Sequence, residues 1–200
     1  LLLPVISCGR TDRPRPVAVK GVLDLTGWDL AKDGPVDLNG EWEFYWKRLV
    51  APEELQSKNP PLPDGFIKVP GAWNNFKVDG KEVGEDGYAT YRLTVIAGPQ
   101  KERLGLTASR ITFAYRLYID GALLSSVGKV GTTATDEFVT IKSQVVAFPP
   151  SHNRIDILFH VSNHLMRRGG FKGTIRFGRE SDVTSAREMR LLFEYISMGI

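Results

Sequence analysis

One cysteine in 200 residues, Cys8, excludes an internal disulfide and any cysteine-based zinc cluster. Cysteine usage therefore says nothing about an oxidising compartment. Catalytic signatures are missing as well: there is no glycine-rich phosphate loop with its lysine, no G-x-S-x-G elbow and no H-E-x-x-H pair. The three histidines are His152, His160 and His164. His160 and His164 stand four apart, a spacing that suits a helix, but Phe159-His160-Val161 reads as strand and no cysteine or fixed carboxylate joins them. Glu41 and Glu43 share one face of a strand, and Glu85-Asp86 sits in a glycine-flanked loop; neither pair sets a proton donor against a nucleophile. Both read as solvated. No catalytic residue, metal ligand or cofactor is assigned.

Concentrated charge is also lacking. The formal net charge is +3, and the basic excess lies at the flanks, with Arg10, Arg13, Arg15 and Lys20 at one end and Arg167 to Arg190 at the other. The stretch between is net acidic, so no basic face is available and nucleic acid is not an expected partner. No internal repeat and no βαβ spacing organise the chain, which disfavours a doubly wound nucleotide-binding fold.

What remains is enough for one domain: 42% apolar residues and 10% aromatics fill a sizeable core. Leu1 to Cys8 is an apolar run too short to span a bilayer, and Val5-Ile6-Ser7-Cys8 resembles a lipoprotein cleavage box, which makes Cys8 a lipidation candidate. An ordinary cysteine near the end of an export signal is the alternative. Residues 9–20 are polar and proline-broken, so 1–20 read as signal remnant and linker.

From Val22 the chain turns to short alternating segments divided by turn signals. Val22–Leu25, Glu41–Trp46, Phe66–Pro70, Tyr88–Val95, Ile111–Ile119, residues 137–148, Ile155–Val161 and Thr174–Gly178 read as strands. Ile111, Phe113, Tyr115, Leu117 and Ile119 form one apolar face, and Trp42 and Phe44 read as core. Ala51–Leu55 reads as a short helical turn, and Asp120-Gly121 as a hairpin turn. About eight strands without intervening helices favour an all-β fold of two antiparallel layers.

Trp73, beside Asn74 and Asn75, combines an apolar stacking surface with amide contacts; Tyr88, Tyr91 and Arg92 line the same rim if the loops converge. These six are the candidate ligand-binding residues, with a small molecule and in particular a carbohydrate as the expected ligand. The same residue types also build ordinary turns and sheet faces. Ser185-Ala186-Arg187-Glu188 matches a capping box ahead of Met189, Leu191, Leu192, Tyr195 and Ile196, which predicts a helix from Ser185. Its apolar surface must pack on the sandwich, pair with a second copy in a homodimer, or approach a membrane span.

LNGEWEF (38–44), VPGAWNN (69–75), GYATYRL (87–93), RLYIDG (116–121) and RRGGFKGTIRFG (167–178) together resemble a known domain. It is the galactose-binding-like jelly roll that precedes the membrane region of bacterial seven-transmembrane receptors with diverse intracellular signalling modules. More distantly, the segments are similar to the sugar-binding domain of family 2 glycoside hydrolases. The resemblance implies a jelly-roll-like antiparallel β-sandwich over 21–180 with a membrane-proximal helical segment at 181–200. It further implies a non-catalytic, periplasmic ligand sensor, anchored to the membrane in the full-length protein and followed by a transmembrane region. A carbohydrate-binding module without signal transduction is the alternative.

Overall fold

The computed structural model describes residues 14–108, 111–150 and 152–197, without the side chains of 194, 195 and 197. Cys8 and the Tyr195 side chain lie outside the described residues. In chain order the elements are β1 (Val22–Leu25), β2 (Val36–Asp37), β3 (Gly40–Trp46), α1 (Pro52–Leu55), β4 (Gly65–Val69), β5 (Lys77–Val78) and β6 (Lys81–Glu82). There follow β7 (Gly87–Ala97), β8 (Leu104–Ala108), β9 (Ala114–Ile119), β10 (Ala122–Val127), β11 (Val145–Phe148), β12 (Arg154–Asn163), β13 (Ile175–Arg179) and α2 (Glu180–Ser197).

These strands build an all-β, jelly-roll-like sandwich carrying one long C-terminal helix. One sheet runs β10-β9-β12-β7-β3-β4, with β1 beside β7; the other runs β11-β8-β13-β2. Alternation explains the layering. Along β7, Ala89, Tyr91, Leu93 and Val95 are buried in the core, while Tyr88, Thr90, Arg92 and Thr94 fall on the outer face. Ile155, Ile157, Phe159 and Val161 of β12 repeat the inner pattern beside it. Trp42 is fully buried there, its indole N–H donating to the Leu38 carbonyl at 3.0 Å, with Phe159 and Phe171 rings at 6.2 and 6.4 Å.

The expected apolar face of Ile111, Phe113, Tyr115, Leu117 and Ile119 is buried, although the strand itself begins only at Ala114. β4 sits at the sheet edge, where Pro70 beyond it costs no ladder bond. Asp120 and Gly121 both take positive φ, 48° and 86°, the geometry of a tight hairpin turn between β9 and β10.

Four features differ from the sequence expectation. The layers are not purely antiparallel: β1 pairs in parallel with the last four residues of β7, because β3 already occupies the first part of that edge. The linker ends earlier than residue 20, since Ala18 is buried and bridges Gly40. Gly40 is required at this crossing, as a Cβ there would stand 2.3 Å from the Ala18 carbonyl oxygen. Within 137–148 only β11 is strand, Phe138 making one isolated bridge to Lys129.

The fourth is the helix, which begins at Glu180, not Ser185. It follows β13 without a loop because Glu180 N–H donates to the Arg103 carbonyl at 2.9 Å and Val183 is driven into the second sheet, fully buried. Ser185 and Glu188 are thus interior helical positions. Beyond Arg187, Leu191 still turns toward the sandwich, half-buried, while Met189, Leu192, Phe193 and Ile196 are 58–70% exposed. Among the described residues no helix is long and apolar enough to cross a membrane.

Polar residues on the outer face of β7 and β12 are nevertheless buried, because the segment around α1 folds over them. Thr90 Oγ1 accepts from Val50 N–H at 3.0 Å and donates to the Arg48 carbonyl at 2.7 Å, and His160 Nε2 meets the Val50 carbonyl at 2.8 Å. A carbonyl only accepts, so Nε2 carries the proton. Burial lowers the His160 pKa from its ordinary value of 6.5, outweighing the hydrogen bond to Val50.

Two predictions follow from this packing. Trp42→Ala should cost about 3–5 kcal/mol in a denaturant titration, from lost transfer energy and the cavity left behind; a loss under about 1 kcal/mol would place the ring outside the core. For His160 the folded pKa lies below the unfolded one, so the unfolded chain takes up a proton that the folded chain refuses. Its contribution is intact above about pH 6.5 and is lost as pH falls toward the folded value. His160→Gln, which keeps a donor for Val50 and never titrates, should flatten the fall of melting temperature on acidification; an unchanged slope would contradict this.

Candidate functional site

The six residues singled out in the sequence do not converge on one surface. Trp73 is fully buried, its ring 5.2 Å from Trp46 in a T-shaped contact and its indole N–H 3.3 Å from the Glu85 carbonyl. Gly169 passes over it so closely that a Cβ would lie 2.1 Å from the ring. Two backbone bonds, Gly71 N–H to Phe171 O at 2.6 Å and Trp73 N–H to Gly169 O at 3.0 Å, fasten these distant segments together. Asn74 Nδ2 donates to the Arg167 carbonyl at 2.9 Å, and Asn75 is exposed. Tyr91 is fully buried between Phe44 and Phe171, and burial pushes its hydroxyl pKa well up.

Tyr88 and Arg92 face the other way, onto the outer sheet surface. Arg92 is held between Glu43 Oε2 at 3.3 Å and Asp156 Oδ1 at 3.4 Å. Burial pulls its pKa down, and the Asp156 and Glu43 carboxylates more than reverse this, so the net direction is up. Tyr45 donates to Glu43 at 2.8 Å and Thr94 to Asp156 at 2.7 Å. Glu43 is thus a half-buried ion-pair partner, where the sequence suggested a solvated one. At the end of the sandwich near Asn74, His164 contacts the Asp86 carboxylate and, at 3.3 Å, the Gly131 carbonyl. These bonds tie loops together; among the described residues no group of three or more His, Cys, Asp or Glu is placed to hold a metal.

An open cleft lies at the opposite end. The turn after β1 and the turn after β7 leave from adjacent positions, since Leu25 pairs with Ala97, and Arg179 arrives from the end of β13. Together they enclose about 610 Å³. Trp28 is its one aromatic, half-buried and fixed by an indole N–H to Gly34 O bond of 2.9 Å. The Asp29 carboxylate accepts from Ala31 N–H at 2.9 Å and pairs with Lys32 at 3.2 Å, which together lower its pKa. Gln100 Nε2 donates to Gly98 O at 3.0 Å. Arg179 forks onto Asp182 at 2.7 and 3.1 Å and reaches Glu102 at 3.2 Å, contacts that raise its pKa.

The lining is charge-balanced: Asp29, Asp33 and Glu102 against Lys32, Lys101 and Arg179. It carries no serine, cysteine or histidine. Its one side-chain hydroxyl, Thr26 Oγ1, donates to the Asp24 carboxylate at 2.7 Å, and the lining offers a ligand a ring face and dipolar groups. Gly27-Trp28-Asp29 and Asp33-Gly34 look like turns in the sequence; the available signal is a tryptophan inside a polar turn, whose ring packs partly on the core and partly lines the cleft.

No protein-family model matches the chain, and neither does any curated protein. Among solved structures it is similar to β-glucuronidase from Ruminococcus gnavus in complex with D-glucaro 1,5-lactone, at 15% identity and a TM-score of 0.52 over 72% of this chain. The complex of that enzyme with N1-substituted uronic isofagomine gives the same values, and that with C6-substituted uronic isofagomine a TM-score of 0.51. The chain spans 29% of the length of these enzyme chains. At this identity the likeness is one of fold: the jelly-roll-like sandwich recurs as a part, somewhat over a quarter, of a larger enzyme.

Proposed function

We propose that this chain is a non-catalytic carbohydrate-binding β-sandwich domain that holds a neutral saccharide in the cleft at Trp28. The observation carrying this is the cleft itself, where one half-buried indole is ringed by side chains whose three negative and three positive charges cancel. A neutral polyol satisfies such a lining: its C–H face covers the ring and its hydroxyls bond to Asp33, Gln100 and Lys101. An anionic sugar would meet as many repulsive as attractive charges. The fold likeness to part of an enzyme crystallised with sugar-acid analogues supports the carbohydrate class, not the particular sugar.

A second reading has its own support. Arg179 lines the cleft and also clamps Asp182 in the first turn of α2, so an occupant of the cleft acts on the helix through one side chain. In this reading the domain is the extracytoplasmic sensor of a membrane-anchored receptor, and α2 carries the ligand's effect toward the membrane. Transmission requires that the ligand prefer one of two helix placements.

Affinity electrophoresis against a panel of neutral and uronic oligosaccharides tests the first reading. At least one neutral glycan should retard the chain; Trp28→Ala should weaken retention about tenfold or more, equivalent to roughly 1.4 kcal/mol, and Asn75→Ala should leave it unchanged. Retention by uronic sugars alone, or retention indifferent to Trp28, would contradict it. Hydrogen exchange over residues 188–197 separates the second reading: a glycan-dependent change in protection that Asp182→Asn removes supports transmission, and unchanged exchange leaves a binding module only.

A further inference from the structure

The helix does not close against the second sheet along its whole length. Between α2, β8, β13 and the irregular segment leading into β11 a groove of about 380 Å³ remains. Its floor is apolar, built from Val183, Ala186 and Leu191, and Ile141 forms a wall that is 75% exposed. Its charged groups are Arg176, Arg187 and Arg190, and no aspartate or glutamate lines it.

For Arg176 and Arg187 the neighbours leave charge uncancelled. Asp37 accepts from Arg176 Nε at 2.9 Å but also pairs with Arg15 at 3.5 Å, so one carboxylate serves two guanidiniums. Arg187 donates to the Ser143 carbonyl at 2.9 Å and to its hydroxyl at 3.4 Å; these neutral acceptors fix the guanidinium without cancelling its charge. Arg187 and Arg190 stand three apart and so share one helix face. A guanidinium is the side chain best shaped to grip a carboxylate with two parallel bonds. The exposed apolar wall gains only if something apolar covers it.

We propose that this groove binds a single amphiphilic carboxylate, its head at Arg187 and its apolar body over Val183, Ala186, Leu191 and Ile141. The volume lies at the small end of ligand sites, which suits one short-chain molecule and not a peptide helix. This site is separate from the saccharide cleft and does not depend on it.

The full chain titrated with decanoate, kept below its aggregation concentration, tests the proposal by calorimetry and amide chemical shifts. Saturable one-to-one binding is expected, with shifts at Ala186 and Arg187. Arg187→Gln should weaken it about tenfold, decanol should bind about tenfold less tightly than decanoate, and added salt should lower the affinity. Ala186→Phe, which fills the floor, should abolish it; if that variant misfolds by circular dichroism, Arg187→Gln and decanol decide. Absence of saturable binding, affinities for decanoate and decanol within twofold, or binding unchanged by Arg187→Gln would overturn the proposal. So would binding seen only with phosphatidylglycerol vesicles, which would mark a membrane surface and not a ligand groove.

Discussion

The close passage of Gly169 over the Trp73 ring is the contact on which the rest of this sandwich depends. It joins the segment after β4 to the segment before β13, nearly a hundred residues apart, and it closes the end of the core where Phe44, Tyr91 and Phe171 meet. Any side chain at Gly169 must displace the indole, and the indole has no free space, since it already contacts Trp46 and Phe44. The aromatic layer is therefore committed to structure, and that end of the molecule is closed by internal bonds. The open cleft lies at the opposite end, where the turns after β1 and β7 stand apart.

That division decides which tryptophan is available for binding. Trp42 and Trp73 are fully buried and Trp46 is half-buried against Phe44 and Trp73, while Trp28 stands half-buried in a polar turn, packed partly on the core with its N–H anchored. Arg179 gives the open end a second consequence, because its bidentate grip on Asp182 makes the cleft and the first turn of α2 parts of one hydrogen-bonded unit. The helix is docked through Val183, while Leu192, Phe193 and Ile196 further along are exposed.

Period-two alternation made β3, β7, β9 and β12 legible, and Trp42 and Phe44 could be read as core from the same pattern. The hairpin at Asp120-Gly121 followed from turn chemistry. Alternation failed where a third layer intervenes: Thr90 and His160 point outward yet are buried, because the segment around α1 supplies carbonyls and an N–H that no local pattern announces. The helix start was misread because the capping pattern at Ser185 to Glu188 is a local signal, whereas burial of Val183 is a tertiary one and won. The candidate binding residues were chosen by type. Type does not distinguish a tryptophan held under a glycine from one at a cleft, and only the placement of Gly169 against Trp73 separates the two.

On the proposed reading, a neutral carbohydrate sits in the Trp28 cleft. The most direct measurement is chemical-shift mapping of the chain with a neutral glycan that it retains. The Trp28 indole N–H and the Gln100 side-chain amide are expected to shift together and saturate at one affinity, with Asn74 and Asn75 unmoved. Shifts centred on Asn74, Asn75 and the His164 loop, with Trp28 silent, would contradict it.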